Sequence, residues 1–305
     1  MEAQGMKNKS TKETSTERPA AEAGEFKIGG DLRVIRLGFG AMRITGKGIW
    51  GEPENRGEAI GVLRRAVDLG INFIDTADSY GPHVSEQLIA EALYPYPADL
   101  VIATKAGFDR TGPDQWVTNG RPEHLRAACE GSLRRLRLER IDLFQLHRID
   151  SEVSVNDQLG TLKDLQSEGK IKHIGLSEVS VAQIENARKV APIVTVQNRY
   201  SVVDRAAEDV LEYCEKANIG FIPWFPLAAG KVSAAGSALA AAAARSKITP
   251  SQLAIAWLLW RSPVMLPIPG TSRVKHLEEN VAAAQLHVDA ETLQGLTKLA
   301  RTKSA

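Results

Sequence analysis

The chain has 305 residues, 43% of them hydrophobic and 6% aromatic, enough to bury a large core as one α/β barrel or as two ordinary domains. Its 38 lysines and arginines against 37 aspartates and glutamates leave a formal net charge of +1, which removes the global electrostatic argument for nucleic-acid or anionic-membrane partners. No run approaches the roughly 18 apolar residues of a membrane span. Cys129 and Cys214 lie far apart in predicted helices, which argues against a disulfide framework and for a reducing, cytoplasmic setting.

Residues 1–24, rich in Lys, Glu, Ser, Thr and Ala, read as a disordered tail. The tail has no apolar stretch of signal-peptide type, and its acidic residues argue against a transit peptide. From residue 25 to 305 the pattern is that of a single domain. Glu25 to Ile28 and Leu32 to Val34, separated by Gly29-Gly30, carry a hairpin signature. Strands are then expected at Leu37–Gly40, Asn72–Asp75, Leu100–Thr104, Ile141–Leu146, Lys172–Leu176, Ile193–Gln197, Gly220–Trp224 and Val264–Ile268.

Helical periodicity fills the intervals at Gly57–Leu69, Ser85–Leu93, Pro122–Leu136, Val155–Glu168, Val181–Val190, Ala206–Ala217 and Pro250–Trp260. Val274–Ala283 and Glu291–Leu299 follow at the end. Leu125, Ala128, Cys129, Leu133 and Leu136 share one helical face, and Ser85-Glu86 and Thr249-Pro250 read as helix starts. Eight strand and helix pairs predict a (β/α)8 TIM barrel, with the N-terminal β-hairpin plugging its floor and extra C-terminal helices. A doubly wound open sheet is the alternative, but it expects G-x-G-x-x-G at its first turn, and Gly38-Phe39-Gly40-Ala41-Met42-Arg43 ends on Arg.

In a barrel of this kind the carboxyl ends of the strands converge on one mouth. Here that mouth collects Asp75, Tyr80, Lys105, His147, Ser177, Gln197, Trp224 and Gly270. A phenol titrates near pH 10, too high for easy proton exchange at neutrality, and a nearby ammonium lowers that value. Lys105 is expected to supply the charge, Asp75 to hold Lys105 protonated, and His147 to orient a carbonyl oxygen. Alone, each of the four is an ordinary strand-end, surface, core or packing residue. Their concentration after strands two, three and four is what points to chemistry.

The runs Asp75-Thr76-Ala77-Asp78-Ser79-Tyr80-Gly81, Ala103-Thr104-Lys105 and Gln145-Leu146-His147-Arg148 resemble the tetrad segments of the aldo-keto reductases, a likeness that spans about Phe26 to Leu299. The resemblance implies Tyr80 as general acid and base, Lys105 and Asp75 as its tuning pair, and His147 as the group that positions the carbonyl. It implies NADP(H), favoured over NAD(H), with the nicotinamide carboxamide on Ser177, Glu178 and Gln197 and the ring against Trp224. Gly40, Met42 and Phe225 join that site. Leu227, Ala229 and Lys231, with the Ala-rich stretch to Ala244, are expected to carry the pyrophosphate, and Gly270, Thr271, Ser272, Arg273, His276, Glu279 and Asn280 the adenosine phosphate.

Two positions depart from the family pattern. Glu178 stands where many members have Asn, and an ionised carboxylate accepts but cannot donate. Gly270 stands where many have Lys, which leaves the 2'-phosphate to Arg273 and Thr271. The expected substrate is a small carbonyl or alcohol compound in a pocket lined by Trp50, Phe108, Trp116 and Arg148. The segments from Tyr80 to Tyr96 and from Pro267 to Ser272 resemble the pyridoxal reductase branch. Two other readings compete with carbonyl reduction. One is an NADP(H)-binding redox-sensing or regulatory subunit. The other is a metal-dependent hydrolase, against which the six histidines, at 83, 124, 147, 173, 276 and 287, show no ligand spacing, so no metal is expected.

Overall fold

The computed structural model describes residues 18–228 and 237–301. The expected hairpin forms as β1 (Glu25–Ile28) and β2 (Leu32–Ile35), antiparallel, with Phe26 opposite Val34. Gly29 and Gly30 turn the chain at φ of +62° and +88°, a region open to glycine without steric cost. Ile28, Leu32 and Val34 pack on Phe73, Val101, Leu143, Ile222 and Leu266 from the barrel interior, so the hairpin closes the floor.

The barrel strands are β3 (Phe39–Gly40), β4 (Phe73–Asp75), β5 (Val101–Ala106), β8 (Ile141–Leu146), β9 (Ile171–Ser177), β10 (Ile193–Gln197) and β11 (Gly220–Phe221). Between β5 and β8 the chain adds an antiparallel hairpin, β6 (Phe108–Gly112) with β7 (Gln115–Thr118). The seven barrel strands pair in parallel in the order β11, β10, β9, β8, β5, β4, β3.

The eighth expected strand, Val264–Ile268, is irregular. Pro263, Pro267 and Pro269 each remove a ladder donor. The run nevertheless joins the two sheet edges: Leu266 N–H donates to Phe221 O at 2.8 Å, and Gly38 N–H donates to Pro267 O at 2.9 Å. A Cβ on Gly40 would stand 2.7 Å from Ile268 O, so the seam closes because Gly40 has none.

Ten α-helices are present among the described residues: α1 (Arg56–Asp68), α2 (Val84–Leu93), α3 (Pro122–Leu136), α4 (Val155–Ser167), α5 (Val181–Arg188), α6 (Glu208–Ala217), α7 (Ala238–Arg245), α8 (Pro250–Arg261), α9 (Val274–Ala282) and α10 (Ala290–Arg301). On α3, Leu125, Cys129 and Leu136 are fully buried. Each such leucine contributes roughly 1.5–3 kcal/mol. Thr249 caps α8 in a reciprocal box with Gln252, as expected.

Ser85 is not a cap. The position before α2 is His83, at φ +70°, and Ser85 lies inside the helix with its hydroxyl donating to Ala41 O at 3.1 Å. The expected disordered tail is also too long, since Pro19–Ala23 forms a 3-10 helix, with Ala20 buried and its N–H bonded to Leu69 O at 3.0 Å. The Ala-rich stretch is helical from Ala238 to Arg245, capped by the Ser237 side chain, and its part at 229–236 lies outside the described residues.

Candidate active site

Strand register decides which side chains meet at the mouth. Asp75 pairs with Ala103, Lys105 with Gln145, and Gln145 with Gly175, and alternation places Lys105 on the inward face two residues beyond Ala103. A Cβ on Gly175 would lie 2.2 Å from Thr195 Oγ1 and 2.8 Å from Gln145 Cγ. Its absence lets Gln145 occupy the barrel interior and reach Asp75.

Lys105 is wholly buried, and its ammonium donates to Asp75 Oδ2 at 2.7 Å, Thr76 O at 2.8 Å and Tyr80 Oη at 3.2 Å. All three ammonium protons are thereby used. The other oxygen of Asp75 accepts from Gln145 Nε2 at 3.1 Å and from Gln197 Nε2 at 2.8 Å. Burial works against the Lys105 cation, but Asp75 and Tyr80 outweigh it and hold its pKa above the ordinary value.

Tyr80 departs from expectation. Burial pushes its pKa up, and that effect exceeds the downward pull of Lys105, so the phenol stays protonated across the neutral range. Since Lys105 donates to the phenol oxygen, the phenolic proton is free to point elsewhere.

His147 is pushed well below the ordinary histidine value, first by burial and then by Lys105, Arg148 and Arg110, so it is neutral. Its Nδ1 lies 3.3 Å from Ser79 Oγ. The β6–β7 hairpin, which the sequence pattern did not predict, carries Phe108 and Trp116 to His147, with ring centroids 4.8 and 6.1 Å away. Arg110 on the same hairpin stacks on Trp116 at 3.7 Å. Arg148 sends one guanidinium nitrogen to both His147 O, at 2.6 Å, and Ser177 Oγ, at 3.1 Å.

Glu178 stands in a left-handed conformation at φ +55° and accepts from Trp224 Nε1 at 2.5 Å and from the Arg199 N–H at 2.6 Å. The acid that replaces the family's Asn is an anchor for the indole.

These groups border a cavity of about 670 Å³. Of the expected residues, Gly40, Met42, Asp75, Tyr80, Phe108, Trp116, His147, Arg148, Ser177, Gln197, Trp224, Phe225, Leu227 and Gly270 line it. Lys105 and Glu178 do not line it.

Trp50 is not part of the lining. Its backbone bridges Gly81, and its ring faces Arg110. Thr271 to Asn280 run on beyond Gly270. Ser272, Arg273 and His276 are exposed there, whereas Thr271 is buried with its hydroxyl bonded to the Arg273 N–H at 3.1 Å. Asn280 is buried and Glu279 half-buried. Ala229 and Lys231 lie outside the described residues.

The sequence reading passed over Arg43, Ile49, Pro226, Ile268 and Pro269, which also line the cavity, and over Gln145 and Ser79. Gln145 was legible as an inward strand residue two before His147. Nothing local marked the others.

Barrel, plug and buried Asp75–Lys105–Tyr80 cluster define the class of protein. The chain belongs to the aldo/keto reductase family, whose model matches residues 36–301. It is 51% identical over 286 residues to an uncharacterized oxidoreductase of Schizosaccharomyces pombe, covering 94% of this chain and 93% of that protein. It is 44% identical over 278 residues to pyridoxine 4-dehydrogenase of Escherichia coli, covering 89% and 97%. Among solved structures it is similar to glycerol dehydrogenase from Gluconobacter oxydans, with a TM-score of 0.83 and 26% identity over 93% of this chain and 97% of that one. An aldo-keto reductase from Klebsiella pneumoniae in complex with NADPH gives 0.77 and 25%, over 90% and 94%. No described helix is long and apolar enough to cross a membrane.

Proposed function

We propose that this protein reduces aldehydes or ketones to alcohols with NADPH, reversibly, and that Tyr80 delivers the proton. The observation that carries the reading is the buried chain from Asp75 through Lys105 to Tyr80 Oη, opening on a cavity that His147 shares. It joins a protonated phenol to a neutral imidazole able to donate to the same carbonyl oxygen.

The residues present fit a nicotinamide. Trp224 offers an aromatic face held by Glu178. Ser177 Oγ accepts from Arg148 and keeps its own proton to give, and Gln197 gives an N–H to Asp75 and keeps its carbonyl oxygen to accept. When bound, NADPH supplies the hydride. Arg43, in the 3-10 helix Ala41–Ile44 that follows β3, and Arg273, at the start of α9, are both exposed and each lies three residues past the Gly40–Gly270 seam, where a Cβ on Gly270 would be 2.4 Å from Gly40 O. They are the side chains best suited to phosphate.

Residues from 25 onward act as one domain in this reading. Cys129 and Cys214 are free and buried, with thiol pKa values pushed up to about 12 by burial, as suits a reducing cytoplasm. The aromatic wall of Phe108 and Trp116 favours ring-bearing carbonyl compounds. Pyridoxal is the first to assay, on the likeness to pyridoxine 4-dehydrogenase.

NADPH oxidation with pyridoxal, aromatic aldehydes and keto-sugars tests the reading. Turnover that Tyr80→Phe abolishes is expected. Full activity in a folded Tyr80→Phe variant would remove Tyr80 from its role, and cofactor binding without turnover would favour a regulatory subunit.

A further inference from the structure

A carbonyl oxygen only accepts hydrogen bonds, so neutral His147 helps it only if the proton sits on Nε2 and Nδ1 is the acceptor. Among the described residues the partner of Nδ1 is Ser79 Oγ, at 3.3 Å, with Ser79 2% and His147 6% exposed. A hydroxyl can donate or accept, so the direction of this one bond selects the tautomer.

The other side of Ser79 borders a second cavity of about 440 Å³, between the loop after β4, the β6–β7 hairpin and α3. Asp78 lines that cavity, 5% exposed, with Oδ1 lacking any partner among the described residues. Resting on the carbonyl-reductase reading, we infer that Ser79 is a positioning residue that sets the tautomer of His147, and that the carboxyl of Asp78 sets the direction of the Ser79 hydroxyl.

A protonated Asp78 needs no hydrogen from Ser79. The hydroxyl then donates to Nδ1, and Nε2–H faces the carbonyl. An ionised Asp78 draws the hydroxyl proton to itself, Ser79 Oγ accepts from Nδ1–H, and Nε2 is left unable to donate to a carbonyl.

Burial, and then the charge of Glu86 on α2, push Asp78 from 3.8 up to about 8, while Arg135 on α3 and the Ser79 amide and hydroxyl pull the other way. His83, His124, Asp109, Arg110 and Arg134 complete the charged and titratable surroundings of that cavity. His124 is itself lowered by burial, and Arg110 gives its guanidinium hydrogens to the backbone oxygens of Gly48, Ile49, Ser79, Gly112 and Gln115. Around His147 stand Lys105, Arg148, Arg110 and Tyr80, whose own pKa is raised above the phenolic value, which leaves Asp78 as the neighbouring acid raised into the neutral range.

The test is the pair of ring 15N chemical shifts of His147 in full-length protein, with the pH profile of kcat/KM for carbonyl reduction beside them. In the wild type at pH 7 the expected pattern is a protonated Nε2 and a bare Nδ1, exchanging as the pH passes about 8. Ser79→Ala should bring the two shifts together and lower kcat/KM about tenfold, the loss of one hydrogen bond. Ser79→Thr keeps the hydroxyl and should restore both. Asp78→Asn should abolish the exchange near pH 8 and the fall in reduction that accompanies it.

Shifts unchanged in Ser79→Ala, or a proton on Nδ1 in the wild type at pH 7, would overturn the inference. The shifts need no turnover, so a wild type that reduces no carbonyl would instead overturn the functional reading.

Discussion

Neutralising both members of the buried Asp75–Lys105 pair should cost no more than neutralising either one alone. At 2.7 Å and an effective dielectric of about 20, the Coulomb attraction is about 6 kcal/mol. Desolvation of the two groups, 2% and 0% exposed, offsets much of it. Asp75→Asn strips Lys105 of its counter-charge while Tyr80 and Thr76 O still face it. Lys105→Met leaves the carboxylate with only the amide hydrogens of Gln145 and Gln197. Each single variant should lose about 3–5 kcal/mol of stability. The double variant removes both charges and should lose about as much as either single one, a coupling of roughly 3 kcal/mol. Urea unfolding of the four proteins measures the cycle. Losses that add to within about 0.5 kcal/mol would refute the claim that the two charges act as one buried unit.

Glu178→Ala should free the Trp224 indole and weaken NADPH binding about tenfold, read by quenching of tryptophan fluorescence; Glu178→Gln, which keeps an acceptor, should lose less. An Asp78 carboxyl held near pH 8 in the fold and near 3.8 when unfolded releases its proton first from the unfolded chain, so stability falls as pH rises from about 4 to about 8. Asp78→Asn should remove that slope, and its melting temperature relative to wild type should climb across the interval. Gly175→Ala places a methyl into Thr195 Oγ1 and Gln145 Cγ; activity should drop with Gln145 displaced from Asp75, which a crystal structure of the variant would show. With both thiols buried and raised to about 12, a thiol-specific chromophore should react slowly with the native protein and rapidly with two groups in denaturant.

Local pattern made much of this protein legible. Seven parallel strands fall where short apolar runs predict them, because strands buried on both faces need continuous apolar sequence whatever their neighbours are. Asp75, Lys105 and His147 were legible for the same reason, since an ionisable residue ending such a run has few places to be but the mouth. The β6–β7 hairpin was missed because Phe108 to Thr118 is polar and poorly alternating, held by Arg110 on Trp116 and on distant carbonyls. The tail was drawn too long because Ala20 looks featureless until Leu69 is known to lie beside it.

The sequence by itself determined the barrel, the family and four residues that meet at its mouth, since periodicity and short motifs are properties of neighbours along the chain. Tertiary structure decided the balance of forces on those residues. Burial against Lys105 at Tyr80, Glu178 bonded to Trp224 across 46 positions, and Ser79 facing His147 across 68 are sums over atoms remote in sequence. A pKa or a hydrogen-bond direction depends on distances that only the closed barrel sets.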